Sequence, residues 1–298
     1  MNEQTLLSHP AKVLTNVQRQ QYFDVGYLLL PGFLSQQAVA ELVETANQFV
    51  EESRYCKKSN DKFDLEPSHC EEAPRLRRLS FPVAHHEKFR TLAFDSSIVD
   101  LAEDLLGPDV CYHHSKLNYK WSGGGEEIKW HQDIQYWPHT DYSPLTIGIY
   151  LEDVDDEMGP MGIVPKSHKG PLYDLRDKSG KWTGAIRDEE IGEANIGSAD
   201  FLTGPAGSVT VHNCCSIHGS LPNNSPRPRP LLLQTYTAGN SFPLQTVGAN
   251  GLGADANTMV RGSRPALFNI AGRDVPVAPD WSAGYSSIID VQQSASEK

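Results

Sequence analysis

The sequence is short of several things, and each shortage removes a class of explanation. Basic residues are outnumbered: 26 Lys and Arg face 38 Asp and Glu, a formal charge of -12. That balance argues against nucleic acid or an anionic membrane surface as the main partner, and leaves room only for a locally basic pocket. No stretch approaches the roughly 20 consecutive apolar residues that span a bilayer. The opening MNEQTLLSHPAKVLTNVQRQ lacks a basic segment followed by an apolar run, so it does not read as a signal peptide. Cysteine is sparse and irregular. Cys56, Cys70, Cys111, Cys214 and Cys215 form an odd set with no CxxC pair, which points to reduced thiols in a cytoplasmic protein and away from a disulfide or zinc framework.

What is present suits a globular protein. The 298 residues, 39% of them hydrophobic, suffice for a sizeable core in one large domain or two modest ones. TNVQRQQYFDV (15–25) reads as a short helix broken by Gly26, and YLLLPGFL after it as a buried strand. Ser35 is placed to cap a second helix that aligns Val39, Leu42, Val43, Ala46 and Val50 on one face. Residues 54–74 are polar and read as a surface loop, and helical periodicity resumes over 90–107. Past Pro108 the pattern changes to short β-rich runs separated by Gly, Pro, Asn and Asp, as in a sandwich or barrel. The segment 171–200 is too polar for core and reads either as a lid over a site or as a solvated loop.

KWHQDIQYWPH (129–139) raises a specific chemical question. On a strand, residues i and i+2 share a face, so His131 and Asp133 can present imidazole and carboxylate to one point while Gln132 faces away. A His-x-Asp triplet alone is common on surfaces. Downstream, His212 and His218 close two β-like runs, and His218 is followed by Gly219 and Ser220. Two histidines and one carboxylate make the facial triad of non-haem Fe(II) oxygenases. A zinc hydrolase can use the same set.

WHQD, MGPMGIVPKSHKG and IHGSLPNNSPRPRPLLL together resemble the phytanoyl-CoA dioxygenase family of Fe(II)/2-oxoglutarate oxygenases, and QQYFDVGYLLLPGFL is similar to the family's opening. The resemblance runs from about residue 17 to about 240. It implies a mainly β fold with flanking α-helices, built on a double-stranded β-helix of the jelly-roll or cupin-like kind. We expect a single oxygenase domain over 1–298, with 1–107 as a helical buttress containing a strand and 108–290 as the β-helix core.

Carried onto this sequence, the family pattern makes His131, Asp133 and His218 the iron ligands. It places Arg229, eleven residues after the distal histidine, on the far carboxylate of 2-oxoglutarate, which a guanidinium grips with two parallel hydrogen bonds. Arg227 is its rival on the same strand parity. Ser220 resembles the hydroxyl that helps hold that carboxylate. Asn118, in YHHSKLNYK, lies on the strand that touches 2-oxoglutarate in relatives, with His114 and Lys116 on its parity and His113 facing the other way. His168 sits in a structural turn, and His212 is the competitor to His218. His85 and His86 either line a pocket or pack. Because Asp133 keeps a carboxylate where related halogenases have a small residue, hydroxylation or another oxidation is favoured over halogenation.

The resemblance implies Fe(II), 2-oxoglutarate and O2 as cofactor and co-substrates, with release of succinate and CO2 as an unactivated C–H bond is oxidised. Tyr136 and Trp137 either wall the substrate pocket or pack the barrel. The clusters around Arg75, Arg77, Arg78 and around Arg261, Arg264 are either anion sites or solvated surface. The acidic balance makes a CoA thioester less attractive than a small polar metabolite or natural-product intermediate. A zinc-dependent hydrolase and a non-catalytic β-helix binding protein remain the competing readings.

Overall fold

The computed structural model describes residues 3–123, 125–244, 253–270, 273–277 and 287–296. Helix α1 (Glu3–Ser8) precedes α2 (Asn16–Val25), which starts on a capping box between Thr15 and Gln18. Gly26 ends α2 at φ 92°, a left-handed conformation, with the His168 ring packed where a side chain would project. The chain then enters β1 (Tyr27–Leu30), the expected buried strand. Ser35 caps α3 (Gln36–Ser53), whose buried face carries Val39, Leu42, Ala46 and Val50 together with Thr45 and Phe49.

The stretch expected to be a surface loop contains a short strand, β2 (Phe63–Leu65), paired with β3 (Leu76–Ser80). Three residues of alternation amid polar sequence are too few to stand out as a period. Helical periodicity near residue 90 resolves into α4 (Pro82–His85), α5 (Glu87–Phe94) and α6 (Ser97–Leu106). His86 caps α5 by accepting from the Lys88 N–H, and His85 and His86 both pack near the Phe49 ring, so these histidines serve local structure.

The β region comprises β4 (Val110–Lys120), β5 (Ile128–His131), β6 (Leu145–Tyr150), β7 (Met161–Ile163), β8 (Asp200–Leu202), β9 (Val209–Asn213), β10 (His218–Ser220), β11 (Arg229–Ala238) and β12 (Thr258–Arg261). These form the two facing antiparallel sheets of a double-stranded β-helix. The larger runs β1-β9-β6-β11-β4-β3-β2 with β12 also paired to β4, and the smaller runs β5-β10-β7-β8. Three N-terminal strands thus extend the large sheet, where a helical buttress with one strand was expected.

Register and alternation split the large sheet into two chemically different faces. Leu28, Leu117, Ile147, Ile149, Val209, Val211 and Leu232 join the helices in the main apolar core. Their neighbours in sequence line the other face, toward the small sheet: Lys116, Asn118 and Lys120 on β4, Thr146 and Tyr150 on β6, His212 on β9, Arg229 and Thr235 on β11. The barrel interior is therefore polar and rich in cations. Among the described residues no helix is long and apolar enough to cross a membrane.

The N-terminal helices are fastened by one buried carboxylate. Asp104 accepts from the backbone N–H groups of Lys12, Val13 and Leu14 at 2.7, 2.9 and 2.8 Å. Asp104→Ala leaves three donors without their acceptor, so we expect a loss of about 3 kcal/mol of stability, read as a lowered Tm with an unchanged far-UV spectrum at 20 °C.

Candidate metal centre

His131 is the last residue of β5 and lies directly opposite His218, the first of β10. The strand does not continue to Asp133, which instead opens a one-turn 3-10 helix, Asp133–Gln135. Gln132 stays extended at φ -122°, ψ 139°, so the alternation that brings His131 and Asp133 to one point survives without the ladder. Ligand atoms of His131, Asp133 and His218 all lie within 4.8 Å of one another. The two Nε2 atoms approach the same oxygen, Asp133 Oδ1, at 3.7 and 3.8 Å.

Each ring is oriented from behind. His131 Nδ1 lies 2.7 Å from the Lys129 carbonyl and His218 Nδ1 lies 3.0 Å from that of Ser216. A carbonyl only accepts, so Nδ1 carries the proton and Nε2 turns its lone pair to the common point. Burial on its own would raise the Asp133 pKa, but His218, His131 and His212 hold it well below the usual carboxylate range. Burial and the adjacent histidines push His218 down, keeping it neutral. Two imidazoles with Nε2 turned to a shared point, and one carboxylate beside them, fit a divalent cation with further coordination positions open.

His212 is neither a rival ligand nor idle. Its Nε2 lies 3.2 Å from Asp133 Oδ2, the oxygen turned away from the pair, and the Thr146 hydroxyl donates to the same oxygen at 3.4 Å. Thr146 is held in turn by Thr235 at 3.0 Å. One carboxylate oxygen is thus fixed by protein and the other is left for the metal. Neither threonine stood out in the sequence. His168 is structural, its Nε2 3.1 Å from the Phe23 carbonyl.

A second cluster lies where β4 and β11 end. Arg229, buried, faces Lys120 across the strands. One guanidinium nitrogen of Arg229 donates to the Gly159 carbonyl, while its buried Nε has no partner. Such an orphaned donor fits an incoming carboxylate. Arg227 precedes the strand and pairs with Asp155 at the surface at 2.9 Å, which removes it as a rival. Lys120 donates to the carbonyls of Ser220 and Leu221, bringing this ammonium to the buried Ser220, two residues from His218. Burial, with Arg229 adding to it, pushes the Lys120 pKa down to about 7. Lys120 was missed, although it continues the strand parity of Lys116 and Asn118. Asn118 faces inward, its side-chain oxygen accepting from Arg78 Nε at 3.0 Å.

One other expectation changes, and Trp137 and Tyr136 take different places. A register shift in β4 opposite Thr235 and Tyr236 adds one residue to the strand, so His113 does not face away from His114: their Nδ1 atoms lie 2.6 Å apart. Trp137 is buried and packs with Ile134, Cys214 and Cys215 and beside His113, His114 and His139, which makes it a packing residue. Tyr136 is 40% exposed, its ring 5.7 Å from His131 and its hydroxyl donating to Gly184, so it stands at the rim of the centre.

The polar segment 171–200 is a folded flap with a core of its own, in which Tyr173, Leu175, Ile186 and Ala194 pack with Val164 and Ile217. Gln132, between the two candidate ligands, ties it down by donating to the Pro171 carbonyl and accepting from the Tyr173 N–H. Widely spaced apolar residues in charged sequence hid this core.

A model of the phytanoyl-CoA dioxygenase family matches residues 22–231. A protein of Stutzerimonas stutzeri, named a probable alpha-ketoglutarate-dependent hypophosphite dioxygenase, is 34% identical over 283 residues, covering 94% of this chain and 98% of the relative. Ectoine dioxygenase of Stutzerimonas stutzeri strain A1501 is 28% identical over 71% of this chain and 72% of its own. Among solved structures, EctD from S. alaskensis with bound Fe aligns at a TM-score of 0.64 and 26% identity, over 78% of this chain and 79% of that one.

If His212 fixes the carboxylate, His212→Ala weakens metal binding about 10- to 100-fold while His168→Ala leaves it unchanged. Co(II) titration followed by visible absorbance measures both.

Proposed function

The chain belongs to the phytanoyl-CoA dioxygenase family and is an Fe(II)- and 2-oxoglutarate-dependent dioxygenase, and from that premise we propose that His131, Asp133 and His218 hold the iron while Arg229 aims the co-substrate. The observation that carries the assignment is Arg229. A buried guanidinium with an unpartnered Nε serves a dicarboxylate, and neither a zinc hydrolase nor an inert β-helix has use for it. Ser220 and Lys120 stand beside it for the same far carboxylate, and Asn118 lines the path between that end and the metal.

When bound, iron couples oxidative decarboxylation of 2-oxoglutarate to insertion of one oxygen atom of O2 into the substrate. The residues of this chain supply position. Arg229 and Ser220 fix the far end of the co-substrate, and so the direction from which its keto acid meets the metal. His212 and Thr146 keep Asp133 Oδ1 turned inward. The flap and Tyr136 shield the centre from bulk water on one side. With Asp133 filling its ligand position, oxygen rather than chloride is transferred.

We read the substrate as a small molecule. Relatives named for ectoine, L-proline and hypophosphite support that reading. Hydroxylation of a C–H bond suits the first two, while hypophosphite, for which the relative that spans nearly the whole chain is named, offers P–H and no C–H bonds to oxidation. The five free thiols agree with a cytoplasmic setting.

Anaerobic addition of Fe(II) and 2-oxoglutarate should give a weak visible charge-transfer band; stoichiometric retention of zinc without such a band would overturn the oxygenase assignment. Arg229→Met should raise the 2-oxoglutarate requirement roughly 10- to 100-fold with iron affinity intact, and loss of iron instead would show the residue to be misassigned. A bound dianion favours protonated Lys120, so as pH rises through about 7 the free protein loses a proton that binding must recover. Affinity for 2-oxoglutarate should therefore fall between pH 7 and 9, and Lys120→Met should flatten that profile.

A further inference from the structure

With the co-substrate's far carboxylate on Arg229 and its keto acid on the metal, two neighbouring cations remain without an ion-pair partner, Lys116 on the inner face of β4 and the exposed Arg78 at its rim. Lys116 lies on the inner face of β4 between His114 and Asn118. It is half-buried and forms no hydrogen bond or ion pair with any described residue. Across the strands it faces Leu233, and beyond that Gly148, so no acid stands opposite it. The carboxylate whose field reaches it is Asp133, which the metal takes up.

Arg78 comes from the neighbouring strand, where it pairs in register with Asn118 and where Ser80 pairs with Lys116. Its Nε is held by Asn118 and it has no carboxylate partner among the described residues. Arg77, next to it, points elsewhere and pairs with Glu66 and Asp64. Arg261 likewise lies among Asp95, Asp100 and Glu103. In a chain carrying a charge of -12, acids are plentiful; the nearest to Arg78 along the sheet, Asp64, stands opposite it in register but turns its carboxylate to Ser59 and Arg77 and forms no ion pair with Arg78.

Position decides what the pair can do. His114 is opposite Thr235, which holds the Thr146 that bonds Asp133. Lys116 is one inward step further, about 7 Å along the strand. Lys116 and Asn118 are partly exposed while the residues around them are buried, so the interior opens to solvent here. We propose that the substrate is a compact oxyanion whose oxygens are held by Lys116 and Arg78, with its oxidisable X–H bond turned toward the metal. This rests on the oxygenase reading above and names its substrate class.

The chemistry balances within that activity. Two electrons come from the X–H bond and two from oxidative decarboxylation of 2-oxoglutarate, reducing O2 so that one atom ends in X–OH and the other in succinate. An oxyanion stays an oxyanion, so the clamp holds substrate and product alike. A phosphorus and a carbon oxyanion present the same charge and similar oxygens to the pair.

The test is titration of the anaerobic Fe(II)·2-oxoglutarate protein with hypophosphite, methylphosphonate and acetate, with acetamide and methylammonium as uncharged and cationic counterparts. At least one oxyanion should shift the charge-transfer band, with a dissociation constant that rises at least tenfold in Lys116→Met and in Arg78→Met, is largely restored in Lys116→Arg, and leaves 2-oxoglutarate affinity within about twofold. Which oxyanion binds tells phosphorus from carbon. Shifts by acetamide or methylammonium with none by the three oxyanions would overturn the proposal. So would a Lys116→Met protein that loses 2-oxoglutarate and oxyanion equally, since Lys116 would then serve the co-substrate. If no band forms, the metal and co-substrate reading has failed, and calorimetric titration of the same oxyanions into the metal-free protein still decides whether the pair holds an anion.

Discussion

A carboxylate in the middle of a protein has to be satisfied on both of its oxygens, and the site is arranged around doing that for Asp133. Oδ2 is taken by His212 from β9 and Thr146 from β6, and Thr146 is steadied by Thr235 from β11. Oδ1 is left between His131 and His218, contributed by the small sheet. Both sheets therefore meet at one carboxylate. A protein that left this carboxylate without a cation would bear much of the cost of a buried charge, offset by the contacts of His212 and Thr146 on one oxygen alone.

The same economy explains the division of the large sheet. Alternation gives one face to the helices and the other to the interior, and the interior face is where Lys116, Lys120 and Arg229 stand. These are expensive residues to bury, and they are met differently: Lys120 has backbone carbonyls, while Arg229 keeps a donor unpaired, in line with the dicarboxylate proposed for it, and Lys116 is the residue to which we assign an anionic substrate. The overall acidity of the chain says nothing about this, because among the described residues Asp104 and Asp133 are the buried acids and neither pairs with these cations.

Much of this was legible in the sequence because it is local. Ser35 as a cap, the buried face of α3, the strand at Tyr27–Leu30 and the His131–Asp133 spacing all depend on residues within a few positions of one another. The pairing of His131 with His218, by contrast, was reached only through family resemblance. What stayed hidden was set by partners far along the chain. His212 was weighed as a ligand, and it took the Asp133 carboxylate, 79 residues away, to show its use. The extra residue in β4 that turns His113 inward has no mark in YHHSK, since a bulge is defined by the strand opposite. The flap core is spread over charged sequence, where periodicity cannot be seen.

Gln132 separates the first two residues of the metal centre, and its amide is bonded to Pro171, Tyr173 and Cys215. The flap and the candidate metal centre therefore share a hinge pin. A chain of this design is not freely modular: exchanging its flap for that of a relative, to borrow a specificity, also disturbs the peptide that spaces the ligands. Such exchanges should succeed when the junctions keep the Gln132 contacts.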